Sequence, residues 1–273
     1  NGENIINIDN NCSSTNNKDH IKADVRDKEI EKYFEEGDVV IHLAAISSLP
    51  ECQDNPQLAY DINVNGTLNV LEICRKKNIK KILFASTSAV YENNKRFPYK
   101  ETDDVNPTLI YSMTKKHCED ICLSYVRNYD MNINIIRFFN TYGGNQNYSR
   151  ISPPLTIYIL NELYNNRIPT LHSDGNQKRD YVYVDDLLNL IINVLRIEAK
   201  GEIFNACSGE LVSVNEIYSV ISNKLGKDTK PKYDNSRNFW NRYPNFTQGI
   251  NPMRKEIIEE EVLKFTSGCN QKI

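Results

Sequence analysis

Apolar residues in this chain gather into short runs set between longer stretches with a helical repeat. Ile5-Ile6-Asn7-Ile8, the segment 21–27, the segment 38–45, Lys81-Ile82-Leu83-Phe84-Ala85 and the segment 133–139 are too short for helices and are expected to be strands. The runs at 38–45 and 81–85 are almost unbroken, the pattern of strands in a sheet covered on both faces. Between them lie three segments with helical spacing. Residues 28–36 follow Asp27, a good N-cap. Residues 58–77 place Ile62, Leu68, Val70, Leu71 and Ile73 on one stripe, which Asn63, Asn65 and Gly66 interrupt. Residues 111–129 form the third. Strands and helices alternating in this order predict an α/β fold, a doubly wound and mostly parallel sheet with right-handed crossovers.

Beyond residue 140 the alternation loosens. Pro153-Pro154 opens a helix to about residue 165, and 169–172 reads as a strand before the turn Asp174-Gly175-Asn176. Asp185 is placed to cap a helix ending near Leu195, and 201–205 is one more strand. Ser213 and Glu216 have the spacing of a capping box at the head of a helix to about Leu225. Phe239-Trp240 and Tyr243-Pro244 suggest a loop, and 255–265 a charged helix.

Composition narrows the classes. The net charge of −3 and the lack of a basic run give no footprint for nucleic acid. No apolar stretch approaches the roughly 18 residues of a membrane span. Seven cysteines, an odd number with no C-x-x-C pair, suit reduced thiols in a cytoplasmic protein better than a disulfide framework or a metal site.

The chemistry gathers at the carboxyl ends of the strands, where open α/β sheets bind ligands. Asp9 ends the first run, and an acid at such a position can accept hydrogen bonds from an adenosine ribose. Ala44 ends the run at 38–45, Thr87 follows the run at 81–85, and Asn140 follows the run at 133–139. Tyr111 and Lys115 are four residues apart, on one face of a helix. A phenol has a pKa of about 10, and a neighbouring ammonium favours its phenolate. The pair therefore suits proton transfer.

Asp9-Asn10, Asp24-Val25-Arg26-Asp27, His42-Leu43-Ala44-Ala45, Asn63-Val64-Asn65-Gly66-Thr67 and Ser86-Thr87-Ser88-Ala89-Val90-Tyr91 occur in this order. They are followed by Tyr111-x-x-x-Lys115, Arg137-Phe138-Phe139-Asn140-Thr141-Tyr142-Gly143 and the segment 179–186, Arg179-Asp180-Tyr181-Val182-Tyr183-Val184-Asp185-Asp186. Together they resemble the extended short-chain dehydrogenase/reductase family, specifically its nucleotide-sugar epimerases and dehydratases. The resemblance implies a Rossmann-type domain over residues 1–140. It implies a smaller, mainly substrate-binding α/β region over 141–273, with about 177–206 returning to the first domain. It implies NAD as cofactor and a nucleotide-diphosphate sugar, UDP-linked first, as substrate. No metal is implied, and a homodimer is. By resemblance Thr87, Tyr111 and Lys115 are catalytic. Asp9 and Asn10 hold the adenosine ribose, Asp24 and Val25 meet the adenine, and Leu43, Ala44 and Ala45 wall the cofactor. Ser47, Asn63, Ala85, Ser86 and Phe138 complete its contacts, with Tyr111 and Lys115 reaching the nicotinamide side. Ser88, Asn140 and Arg179 hold the substrate.

The family opens with a strand, a glycine turn G-x-x-G-x-x-G and a helix, which this sequence lacks. The chain is therefore expected to start inside the fold, without that phosphate cradle and with one side of the sheet uncovered. After the threonine, the family's dehydratases carry Asp-Glu and its decarboxylases a Glu at the second position. Ser88 and Ala89 stand there instead. Alanine cannot move a proton, so C4 epimerisation is the expected reaction. The alternatives are a 4,6-dehydratase or other nucleotide-sugar modifier, and a non-catalytic dinucleotide-binding or scaffold protein.

Overall fold

The structure, a computed structural model, describes residues 4–11, 19–144, 146, 148 and 153–234. In chain order the elements are β1 (Asn7–Asp9), β2 (His20–Lys22), β3 (Val39–His42), α1 (Leu49–Asp54), α2 (Pro56–Tyr60), α3 (Gly66–Lys76), β4 (Lys81–Thr87), α4 (Ile110–Tyr129) and β5 (Asn132–Phe138). They continue as β6 (Asn140–Tyr142), α5 (Leu155–Tyr164), β7 (Thr170–His172), β8 (Lys178–Tyr183), α6 (Val184–Arg196), β9 (Ile203–Ala206), β10 (Leu211–Ser213), α7 (Val214–Lys224) and β11 (Lys232–Asp234). The loop expected at 239–244 and the helix expected at 255–265 lie outside the described residues. Two compact units divide the chain. The first holds the described residues up to Val90, then Pro107–Arg137 and Val194–Phe204. The second holds Tyr91–Asn106, Phe138–Asn193 and the described residues from Asn205 on.

In the first unit β1 pairs in parallel with β2. A four-stranded sheet has the order β3-β4-β5-β9, with β3 parallel to β4. The expected strand at 21–27 stops at Lys22 because side chains then capture the backbone. The amide of Arg26 donates to Asp24 Oδ1 at 2.9 Å and that of Glu29 to Asp27 Oδ1 at 2.9 Å. The chain turns into a short 3-10 helix, Lys28–Tyr33, capped by Asp27 as expected. Both α3 and α4 contribute to the main core. Val70, Leu71, Ile73 and Cys74 join Cys118 and Cys122 over Ile82, Phe84, Ile133 and Ile135. Leu68, expected on that stripe, is exposed instead. The apolar run of β3 is not covered on both faces among the described residues, since Val39, Ile41 and Leu43 are exposed while His42 is buried.

The helix expected at 58–77 is interrupted. Between α2 and α3, Asp61–Asn65 form a π turn, and Gly66 N–H reaches Asp61 O. Asn63 sits in this turn, buried, and braces the loop after β3. Its Oδ1 accepts from Ile46 N at 2.7 Å and its Nδ2 donates to Ile46 O at 3.1 Å and to Thr114 Oγ1 at 3.0 Å. Gly66 follows because space is short: a Cβ there would lie 2.5 Å from Val25 Cγ1. Overpacking costs about 1–3 kcal/mol, more than the roughly 1 kcal/mol of helix propensity that alanine adds. Gly66→Ala is thus expected to lower stability by about 1 kcal/mol, read from the urea midpoint.

His42 is a core histidine. Its Nε2 lies 2.9 Å from Thr67 Oγ1 and its ring centroid 5.7 Å from that of Phe84. Burial first, and the nearby Lys115 charge second, push its pKa down to about 3. The folded protein therefore resists protonation here, while an unfolded histidine binds a proton below about 6.5. Stability is expected to fall as pH drops from about 6.5 toward 3, as the unfolded state binds one more proton. Urea midpoints across that range check this, and His42→Gln should flatten the slope by about one proton.

The second unit is built of shorter strands. β8 lies between β6, parallel, and β10, antiparallel, while β11 pairs in parallel with β7. Its core joins Tyr142, Ile159, Leu163, Leu171, Tyr181, Ile217 and Ile221. The capping box is present: Glu216 N donates to Ser213 Oγ at 3.1 Å and Ser213 N to Glu216 Oε2 at 2.8 Å. Asp185 lies in the first turn of α6 rather than before it, where an acid still favours the helix N-terminus.

Candidate active site

In the first unit α4 packs on β4, and this contact builds the site. β4 ends in Ala85, Ser86 and Thr87, all buried, and a 3-10 turn, Ser88–Tyr91, follows at once. Thr87 Oγ1 accepts from Ala89 N at 3.2 Å, which fixes the oxygen and leaves the hydroxyl proton to give. Tyr111 is buried in the first turn of α4 and clusters with Cys52 and Ala59. Ala89, Ile46 and Leu49 pack against that cluster.

Lys115 follows one turn later and is only 4% exposed. Its Nζ lies 4.6 Å from the centroid of the Phe84 ring, a cation–π contact. Burial is the main cause that lowers its pKa, and negative charge at Cys118, Cys122, Glu119 or Cys52 opposes the fall. The ammonium has no hydrogen-bond acceptor among the described residues. A buried cation with unused donors suits a ligand that brings hydroxyl groups.

Sequence reasoning missed the next turn. Glu119 is 1% and Arg137 3% exposed, and they form a two-pronged pair: Nε to Oε1 at 3.0 Å and a terminal guanidinium nitrogen to Oε2 at 2.8 Å. Ser86 Oγ also donates to Glu119 Oε1. The signal was the continued spacing, 111, 115, 119, on one helix face.

The expected cofactor residues fall into three sets. At the end of β1 Asp9 is exposed, and one of its oxygens accepts from Asn11 N at 2.7 Å, with Asn10 exposed in the turn between them. Asp24 is clasped by Arg26, whose Nε and a terminal nitrogen reach its carboxylate at 2.9 and 2.7 Å, and this contact holds its pKa low. Val25 packs on Gly66. The second set follows β3: Leu43, Ala44 and Ser47 are exposed and Ala45 half-buried, an open, small-residue rim. The third set is buried. Asn63 spends its amide on the Ile46 backbone and Thr114, and Ser86 its hydroxyl on Glu119, so both brace the site rather than offer open groups. Ala85 lies beside Ser86, and Ser88, expected at the substrate, is buried just after Thr87.

Phe138, Asn140 and Arg179 belong to the second unit. Phe138 is half-buried at the end of β5. Asn140 Nδ2 donates to Asp180 O at 2.9 Å, across the β6–β8 pairing. The half-buried Arg179 donates to Lys178 O at 2.8 Å, and burial lowers its pKa. Asp180 is fully buried, and its carboxylate accepts from Ser208 N, Ser208 Oγ and Gly209 N at 2.7, 2.7 and 2.8 Å. Among the described residues no cluster of His, Cys, Asp and Glu could hold a metal, and no helix is long and apolar enough to cross a membrane.

An acid at the end of a parallel strand, a small-residue rim and a Tyr-Lys pair beside a strand-end threonine define a dinucleotide-dependent α/β enzyme. The exposed Asp9 carboxylate and the Lys115 ammonium, which has no hydrogen-bond acceptor among the described residues, are groups that would suit the hydroxyls of such a cofactor. The chain belongs to the NAD dependent epimerase/dehydratase family, whose model matches residues 1–207. It is 35% identical over 247 residues to a putative UDP-glucose 4-epimerase of Methanocaldococcus jannaschii, covering 87% of this chain and 79% of that one. It is 32% identical over 198 residues to a dTDP-D-glucose 4,6-dehydratase of Dictyostelium discoideum, covering 67% and 44%. The fold superposes on UDP-glucose 4-epimerase of Thermotoga maritima, solved with UDP-glucose, with a TM-score of 0.88 and 26% identity, covering 98% of this chain and 92% of that one.

Proposed function

We propose that this chain is an NAD-dependent nucleotide-sugar epimerase that inverts C4 of a UDP-hexose through a transient 4-keto sugar. One observation carries the choice of reaction. Ala89 packs against the cluster that contains Tyr111, so a methyl group occupies the position that an eliminating enzyme fills with an acid or base. NAD, when bound, would supply the hydride chemistry at C4. Tyr111 takes the proton of the C4 hydroxyl and later gives it back, and the Lys115 ammonium favours its phenolate. Thr87, with its oxygen fixed by Ala89 N, donates to the reacting oxygen. Lys115 and Asp9 hold ribose hydroxyls. Arg179 and Asn140 bind the diphosphate and sugar, for which a guanidinium's forked donors are suited.

We further propose a cytoplasmic homodimer. Free, buried Cys52, Cys74, Cys118, Cys122 and Cys207 suit a reducing compartment. Sedimentation equilibrium tests the dimer. Product analysis by NMR in D2O, with NAD and a panel of UDP- and dTDP-sugars, tests the reaction. Inversion at C4 without ring deuterium supports an epimerase. Deuterium at C5 or C6 with loss of water makes the chain a dehydratase, the second reading, which the Dictyostelium relative favours. No change in any sugar brings forward a non-catalytic, dinucleotide-binding role.

A further inference from the structure

Glu119 is a buried group that the proposed chemistry leaves unused. It lies on the same face of α4 as Tyr111 and Lys115, one turn beyond the lysine. Its carboxylate draws on three elements at once. It comes from α4, receives the Ser86 hydroxyl from β4, and receives two guanidinium donors of Arg137 from β5. Ser86 immediately precedes Thr87. A single side chain thus ties the helix that carries the proton-transfer pair to the strand that carries the hydroxyl donor.

Such a buried pair is costly to assemble, and apolar residues of similar volume would hold a helix to a sheet at least as well. An ion pair here offers two things that apolar packing does not. Directional bonds fix the helix in one rotation and one axial position, which sets where Tyr111 and Lys115 stand. A negative charge one turn from the ammonium also favours its charged form.

We propose that Glu119 is a positioning residue that locks α4 to the ends of β4 and β5 and holds Lys115 in its working place and charge. This rests on the tyrosine–lysine chemistry proposed above. The groups around the ammonium support it. On α4 these are Tyr111, Cys118, Cys122 and Glu119. Cys52 comes from α1, His42 from β3 and the Phe84 ring from β4. Burial keeps the thiols protonated: Cys52 is pushed up to about 11, and Cys118 and Cys122 are raised as well. His42 is neutral. Beyond them lies the Glu119 carboxylate, two-pronged on the Arg137 guanidinium of β5.

The test is the pH dependence of Lys115 itself. Acetic anhydride labels only the neutral amine, and mass spectrometry of the Lys115 peptide between pH 6 and pH 11 gives its titration without substrate or cofactor. Two variants are compared with the parent, Glu119→Gln and the double variant Glu119→Met with Arg137→Met. The double variant replaces the whole pair by apolar groups and is expected to stay folded. In Glu119→Gln, which leaves the Arg137 cation uncompensated, the Lys115 titration is expected to move to lower pH by roughly one unit, and in the double variant, which removes both charges, by less. Turnover is expected to fall about tenfold or more with KM for the UDP-sugar little changed. An unchanged Lys115 titration in Glu119→Gln together with an unchanged turnover number in the folded double variant would overturn the proposal. A parent protein that turns over no sugar while its Lys115 titration still responds to Glu119 would instead overturn the enzymatic reading alone.

Discussion

Tyr111→Phe is expected to lower turnover by roughly 10²–10⁴-fold, the range lost with a general acid–base group. The substitution removes one oxygen and leaves the ring, which clusters with Cys52 and Ala59 and packs against Ala89. No cavity opens and no neighbour loses its packing, so the variant should stay folded. Lys115 keeps its place over Phe84, and the groups proposed to hold the nucleotide are untouched. Binding of the UDP-sugar, measured by calorimetry, should change by less than about twofold. The loss then falls on the turnover number alone, the signature of a group needed in the transition state rather than for binding. Near-normal turnover would remove the tyrosine from the mechanism.

Arg137→Met is expected to cost about 3–5 kcal/mol of folding stability, because it strands a buried carboxylate. Glu119 is 1% exposed and receives two donors from Arg137. Among the described residues, the Ser86 hydroxyl alone remains to donate to it after the substitution. Methionine fills most of the volume, so the loss reports the unpaired charge and not a void. Urea denaturation of the single variant, set against the double variant in which Glu119 is also methionine, separates the two. Recovery of most of the loss in the double variant is the expected result, and equal losses in both would mean that packing, not charge, is what Arg137 supplies.

The parts of this protein that a linear pattern can carry were legible. Unbroken apolar runs marked β3 and β4, and the repeat over 111–129 marked α4 almost to the residue. Ser213 and Glu216 announced α7 through three-residue spacing. What was not legible depends on partners distant in sequence. The Glu119–Arg137 pair joins residues 18 apart on different elements, and neither shows its partner in the local pattern. Leu68 is apolar yet exposed, and the apolar face of β3 is open among the described residues, since hydrophobic spacing reports a residue's preference and not its cover. Ser86 and Asn63 belong to motifs that suggested cofactor contacts, yet their polar atoms turn to Glu119, Ile46 and Thr114. Motifs give residue type and place in the chain. They do not tell which way an amide or hydroxyl points.

The π turn at Asp61–Asn65 has a consequence for chain length. Its i→i+5 bond accommodates one more residue than an α-helical turn, so the segment behaves as a single-residue insertion in an otherwise continuous helix. Deleting Val64 would restore ordinary winding, but it would rotate everything before it by about 100° against α3. Asn63 would then swing away from Ile46 and Thr114. Length variation among relatives should therefore be absent from residues 61–65 and tolerated in the turns on either side of α2–α3, as an indel scan scored by soluble expression would show.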